Sequence, residues 1–287
     1  MYDLVCVGDI FLDIITSPLR KYPEKETQAV SDFLYSRGGE AANCAALASK
    51  LGLKSCFMGA VGKDFIGNHL LEELRKDRVY FEGVRKGKSA VTFAVSFPDG
   101  SRSFITQEGS NLLFSLQDVD FRMLKNARHV HRGGYWHTEK LLGKPNEKLF
   151  RFCRRNSIKT SLNIGWDFKG WPDIRSKQLL KLLKYVDIFF LNSKEARALT
   201  GKDYKKAVEE FDSKISAVHL GKKGSYIYSE GEGFLAKAER VKVVNPVGAG
   251  DAFNAGFIYG RLKNWDLEKT GEFANRTAAR HISGKMQ

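Results

Sequence analysis

Near the end of the chain, Asn245-Pro246-Val247-Gly248-Ala249-Gly250-Asp251-Ala252-Phe253 sets two glycines one residue apart beside an acid, just where an apolar helical pattern begins. The β-branched run Val241, Val243 and Val244 precedes the proline, so the stretch predicts a strand, a tight turn and a helix start. The first N–H groups of a helix lack partners within it and carry partial positive charge. An anion can be held there, and Gly248 and Gly250 let it come close to the backbone. A carboxylate at Asp251 could then take the proton of a hydroxyl attacking a phosphoryl group. The stretch alone leaves a second reading open, in which Asp251 only caps the helix and the glycines only make the turn.

Other groups able to do chemistry recur where short apolar runs end. Leu4 to Gly8 reads as a strand buried on both faces, with Asp9 and Asp13 beyond its carboxyl end, where open α/β sheets bind ligands. Gly38-Gly39 opens a helix of small residues that Gly52 can terminate, with Asn43 one turn in. Cys56 to Gly62 and the runs around His129-Val130-His131, Thr160 to Ile164, Asp187 to Leu191 and Ala217 to Leu220 read as further strands. They are separated by helical stretches and end near Gly133-Gly134, Asn163 with Gly165, Asn192 with Glu195, and His219 with Gly221 and Gly224. Right-handed crossovers would gather those ends on one edge of a mostly parallel sheet. His129, His131 and His137 lack an acid or cysteine at ligand spacing, which argues against a metal site there.

Two segments break this rhythm. Residues 14–37 are polar and aperiodic, with Pro18 and Pro23. Ser89 to Ile105 alternates Val91, Phe93, Val95 and Phe97 with smaller residues, then turns at Pro98-Asp99-Gly100. A hairpin cannot be a parallel core strand, so both segments are expected to form a small sheet that covers the ligand crevice as a lid. After Asp251, helices are expected from Ala252 to Leu262 and from about Leu267 to His281.

The composition is that of an ordered globular chain: 287 residues, 43% hydrophobic and 28% charged. A formal charge of +14 favours anionic partners such as nucleotides or phosphosugars, but the basic residues lie scattered at the spacing of solvated helix faces, which disfavours nucleic acid. Cys6, Cys44, Cys56 and Cys153 form no C-x-x-C pair and read as buried thiols of a reducing compartment. Met1 leads straight into a strand and no apolar run is long enough for a bilayer, so a cytoplasmic location is expected.

Together and in this order, these motifs resemble the ribokinase-like PfkB family of sugar and nucleoside kinases, from Val5 to about His281. Gly38-Gly39 with Asn43 matches the N-terminal glycine signature, and Asn245 to Phe253 matches the C-terminal one. The resemblance implies a three-layer α/β/α fold with a β lid, ATP as donor and Mg2+ as required ion. Asp251 would be the general base, and the amides of Gly248, Ala249, Gly250 and Asp251 would form the anion hole. Asp13, Gly38, Gly39 and Asn43 would bind the acceptor. Asn192 and Glu195 match the N-x-x-E motif that organises the magnesium, with Glu195 acting through water. His219, Gly221 and Gly224 fall on the nucleotide turn, and Asn275 on the adenine side. The usual threonine of that turn is His219 here, the residues before the glycines are Asn245-Pro246-Val247 rather than Asp-Thr-Thr, and Asn163 and Gly165 replace Asp-x-Asn. No Walker-type loop is present, so this is not a P-loop kinase.

The expected organisation is a large α/β unit of residues 1–13, 38–87 and 108–287, with a small β lid of residues 14–37 and 88–107. The expected function is ATP-dependent phosphorylation of an alcohol group on a small sugar-like acceptor. Arg102 on the hairpin could contact an anionic acceptor, whereas Phe93, Phe104 and Tyr135 could stack on the base of a nucleoside. The alternatives are a nucleoside kinase and, from another class, a non-catalytic kinase-fold regulator or nucleic-acid binder; the acids at Asp251 and Glu195 argue against the latter. The family's lid pairing makes a homodimer a candidate assembly.

Overall fold

The computed structural model describes residues 1–286. Strand β1 (Tyr2–Gly8) lies inside the large sheet, with Leu4 and Cys6 buried towards one face and Val5 and Val7 towards the other. This period of two, apolar on both sides, is what a strand between two helical layers requires. The chain then leaves the sheet to form β2 (Phe11–Thr16) and β3 (Phe33–Gly38), and returns through α1 (Glu40–Lys50). Next come β4 (Ser55–Val61), α2 (Phe65–Lys76) and the two-residue strands β5 (Tyr80–Phe81) and β6 (Val84–Arg85). The hairpin β7 (Val91–Ser96) and β8 (Arg102–Gln107) joins the second sheet.

From there strands and helices alternate: α3 (Phe121–Leu124), β9 (Ala127–Arg132), α4 (Lys144–Arg155), β10 (Lys159–Asn163), α5 (Asp173–Leu182), β11 (Ile188–Asn192), α6 (Ser193–Thr200), α7 (Tyr204–Ala207) and β12 (Ile215–His219). An antiparallel hairpin, β13 (Ser225–Ser229) and β14 (Glu232–Ala236), precedes α8 (Ala249–Leu262) and α9 (Leu267–Ile282). The large sheet runs in the order β14-β13-β12-β11-β10-β9-β1-β4-β5, with β6 also on β4. Its strands from β12 to β5 are parallel, so their carboxyl ends share one edge. The separate small sheet runs β3-β2-β7-β8.

On one face, α1, α8 and α9 pack over Leu4, Cys6, Phe190 and Ala217. The small side chains of α1, among them Ala41, Ala42, Ala45 and Ala48, let it lie close to β1 and α8. Closeness between α8 and α9 comes from Gly256 and Gly260: a Cβ at either would meet Thr277 or Thr270 within 3 Å. On the other face, α4 to α7 cover Val5, Val130, Leu162, Phe189 and Leu191. Each such large apolar side chain stabilises the fold by roughly 1.5–3 kcal/mol against exposure.

Two local expectations are corrected. Residues 241–244 form no strand; Val244 is 72% exposed, and with no neighbouring strand to pair with, β-branching alone does not make one. The helix expected from Ala252 begins at Ala249, which puts Asp251 inside its first turn. Past the small-sheet hairpin, Gly109–Leu113 form a 3-10 turn. Ser110 and Asn111 are buried, with Ser110 Oγ donating to Ala60 O and the Asn111 amide exchanging hydrogen bonds with the backbone of Ile10.

Candidate active site

Gly248 is the N-cap of α8 and has φ of +76°, a left-handed conformation that glycine adopts without strain. The bend ahead of it is braced by Asn245 Oδ1, which accepts from Val247 N–H at 3.1 Å, and by His281 Nε2, 2.8 Å from Val247 O. Among the described residues, the amides of Gly248, Ala249, Gly250 and Asp251 have no acceptor. They face the end of α8 with the field of its first turn behind them, which suits a phosphoryl oxygen.

The Asp251 side chain caps nothing: no side chain accepts from the first turn of α8. Instead Asp251 Oδ2 accepts a 3.2 Å hydrogen bond from Asn43 Nδ2. The residue is 9% exposed. Burial pushes its carboxyl well above the ordinary range, Glu40, Cys44 and Asp9 add to the push, and the Asn43 hydrogen bond opposes it. A carboxylate kept basic in this way suits removal of a proton from a hydroxyl.

Asp13 lies on β2, where the small sheet meets the large one. Its carboxyl has no hydrogen-bond partner among the described residues, and Gly38 leaves it room: a Cβ there would fall 2.3 Å from Asp13 Oδ2. Burial raises its pKa to about 6, as does the charge of Asp9, while Arg102 and His137 pull the other way. Gly39, at φ of +96°, is the N-cap of α1 and passes so close to Asp9 and Ile10 that a Cβ would come within 2.7 Å of their backbone.

The sequence did not single out Glu40, His137 or Gly134 as parts of this wall. Glu40 Oε2 accepts from Gly134 N–H at 2.9 Å and from Asn163 Nδ2 at 2.7 Å, and Asp9 Oδ1 accepts from Ala41 N–H at 3.0 Å. Two glycines here are needed for space: a Cβ on Gly134 would strike the Asp9 carboxyl, and one on Gly165 the Glu40 carboxyl. His137 Nδ1 pairs with Glu108 at 2.9 Å. Burial works against the imidazolium, but Glu108, Asp9 and Glu40 raise its pKa to about 9. The only available signal was Glu40 following Gly39 directly; the rest depends on strand ends that meet only in the fold.

On the other side of the α8 N-terminus lies a cavity of about 530 Å³, lined by His219, Gly221, Gly224, Ala249, Gly250 and Asn275, with apolar walls that include Val241, Phe253 and Ile282. Gly224, at φ of +97°, passes within 2.1 Å of Ala236 O at its Cβ position. His219 Nε2 lies 3.0 Å from Asn254 Oδ1, and burial lowers its pKa to about 4. Asn275 Nδ2 is engaged inside the protein, donating to Ser225 Oγ and Ala236 O.

Asn192 and Glu195 do not line this cavity. They form a capping box at the start of α6: Glu195 Oε2 accepts from Asn192 N–H at 2.8 Å, and Asn192 Oδ1 accepts from the amides of Lys194 and Glu195. Burial lifts Glu195 to about 7, with Glu40 adding to it. Among the described residues no cluster of three or more His, Cys, Asp or Glu side chains could hold a metal, and His129 and His131 both bond to Ser161 Oγ. No helix among these residues is long and apolar enough to cross a membrane. Tyr135 is buried against Trp136, Phe93 is half-buried beside Phe33, and Phe104 is exposed.

A parallel sheet with a helix N-terminus, a buried acid and a cavity at its carboxyl edge, covered by a second sheet, defines a ribokinase-like kinase fold. Residues 1–285 match the pfkB family carbohydrate kinase description, and the chain belongs to that family. It is 28% identical over 285 residues to the ATP-dependent ribose-1-phosphate kinase of Halopiger xanaduensis, covering 97% of this chain and 91% of that one. It is 29% identical over 289 residues to a nucleoside kinase of Methanothermobacter thermautotrophicus, covering 96% of this chain and 88% of that one. A provisionally named ribokinase II of E. coli, solved with ATP and Mg2+, superposes with a TM-score of 0.84 at 22% identity, covering 99% of this chain and 93% of that one.

Proposed function

We propose that this kinase transfers the γ-phosphoryl group of ATP to a hydroxyl of a small sugar-like acceptor, with Asp251 as general base. One observation carries the reading: Asp251 is buried in the first turn of α8, bonded to Asn43 and not to its own helix, beside amides without acceptors. The cavity fits the nucleotide, since its volume is in the range of small-molecule sites, its walls suit a base and its head opens at those amides.

Mg2+ would neutralise charge on the transferring phosphoryl group. Because both Glu195 oxygens already accept from Asn192, Glu195 fits a contact through water, which is how Mg2+ is commonly held. Asp13, Gly38, Gly39 and Asn43 position the acceptor, Asp251 accepts its proton, and the amides of Gly248 to Asp251 receive the developing negative charge. The small sheet acts as the lid that excludes water. Exposed Phe33, Tyr35 and Ile105 on that sheet give a second copy of the chain an apolar surface to pair with.

A nucleoside acceptor is the second reading, and Phe104 favours it: 62% exposed, it shares a face of the small sheet with Asp13 and could stack on a base. ADP release is measured over sugars, sugar acids, sugar phosphates and nucleosides, with Asp251→Asn as control. Acceptor-dependent turnover lost in the variant supports the mechanism; no stimulation by any acceptor, or full rate in the variant, refutes it.

A further inference from the structure

The hydrogen-bonding capacity of the acceptor wall is mostly taken up within the protein. Asp9 accepts from Ala41, Glu40 from Gly134 and Asn163, and Glu108 from His137. Three groups remain without partners among the described residues: the Asp13 carboxyl, the Arg102 guanidinium and His137 Nε2, whose ring is bonded only through Nδ1. The acids outnumber the cations on this wall, yet those still able to bind a ligand are one acid and two cations.

The register brings the three together. Asp13 pairs with Thr92 and Arg102 with Ser96, so with a period of two these residues project from one face of the small sheet. Phe11, two residues before Asp13 on that face, meets the His137 ring edge-on with centroids 5.1 Å apart, while Phe168 stacks on its other side at 5.7 Å. Arg102 and His137 are also the two cations whose charge is felt at Asp13. One comes from the small sheet, the other from the segment after β9.

We propose, building on the kinase reading, that the acceptor is an anionic sugar: Asp13 accepts from a hydroxyl while Arg102 and His137 Nε2–H hold its phosphate or carboxylate. A guanidinium matches a planar pair of oxygens, and an imidazolium locked at Nδ1 offers its remaining N–H in a fixed direction. A neutral sugar in the same place would leave the Arg102 guanidinium and the His137 Nε2–H without an anionic acceptor, which costs binding.

The test compares kcat/KM for ribose, ribose 1-phosphate, ribose 5-phosphate and ribonate, with ATP and Mg2+, in the native protein and in Arg102→Gln and His137→Gln. At least one anionic acceptor should exceed ribose by ~10-fold or more, and each variant should lower that ratio by ~10-fold, mainly through KM. Preference for a phosphate or for ribonate identifies which anion is read; either supports the proposal. Ribose used as well as the anions, or both variants keeping the native ratio, overturns it. His137→Gln also removes the Glu108 pair, so melting curves accompany each assay and Arg102→Gln decides alone if that variant does not fold. Should no acceptor turn over, the kinase reading is what fails. Calorimetric binding of ribose 5-phosphate and ribonate then decides this inference: binding weakened by Arg102→Gln supports it, and no difference from ribose overturns it.

Discussion

Asn43 Nδ2 donates to Asp251 Oδ2 across 3.2 Å, tying the first turn of α1 to the first turn of α8. Through this contact the residue proposed to hold the acceptor also orients the proposed base. The Asn43 hydrogen bond favours the Asp251 carboxylate, against burial, Glu40, Cys44 and Asp9.

Replacing Asp251 by Asn removes the base while keeping an oxygen that Asn43 can reach. The kcat should fall by ~10²–10⁴, the usual contribution of a positioned base. Stability should hold or rise, because the buried carboxyl is held well above its ordinary pKa and disfavours the fold wherever it must ionise. A parallel loss of melting temperature and activity would return Asp251 to a structural role.

Asn43→Ala should shift the acid limb of the kcat profile towards higher pH. The Asn43 hydrogen bond lowers the Asp251 pKa, so without it the carboxylate forms only at higher pH, and a rate that needs the carboxylate follows. The check is a kcat profile at saturating acceptor for both proteins. If the limb stays put, Asn43 does not act on the base.

Much of this arrangement was legible because local chemistry announces it. A glycine pair with an acid, or a Gly-Gly before small residues, can be read from spacing, and alternating or continuous apolar runs marked the strands. The misreading at Val241 to Val244 has a physical cause: β-branched residues favour strands only where a pleated partner exists, and β14 has already ended at Ala236. The hairpin β13–β14 was not singled out either, although it closes one end of the large sheet and its Ala236 O anchors Asn275. The wall of Glu40, Gly134, Asn163 and His137 comes from α1 and from segments after β9 and at the end of β10, so its members become neighbours only when the sheet order is known. The Asn192 and Glu195 pair shows the converse: one spacing serves both a capping box and a metal motif, and only the former is made by the chain's own atoms.

Gly248→Ala tests the turn itself. A Cβ would lie 2.8 Å from His281 Nε2, the group that holds Val247 O, and φ of +76° is unfavourable for alanine. The cost should be about 1–2 kcal/mol from the left-handed backbone alone. Thermal unfolding should show a drop of at least a few degrees. An unchanged melting temperature would show that the bend tolerates a side chain.

Glu195→Gln probes the last acid of the site through pH. Its pKa is about 7 in the fold against the ordinary 4.5, so between those values the native state binds more protons than the unfolded chain. Stability from this group is therefore fully present below about pH 4.5 and lost as pH rises through about 7. Glutamine keeps a capping-box partner and cannot ionise, so the variant should match the native protein near pH 4.5 and be more stable at pH 8, by on the order of 1–3 kcal/mol. Adding Mg2+ with ATP should reverse the order, because a nearby cation favours the carboxylate that only the native protein has. Melting curves at the two pH values, with and without Mg2+ and ATP, check both halves. If the ligands stabilise the two proteins equally, Glu195 serves α6 alone.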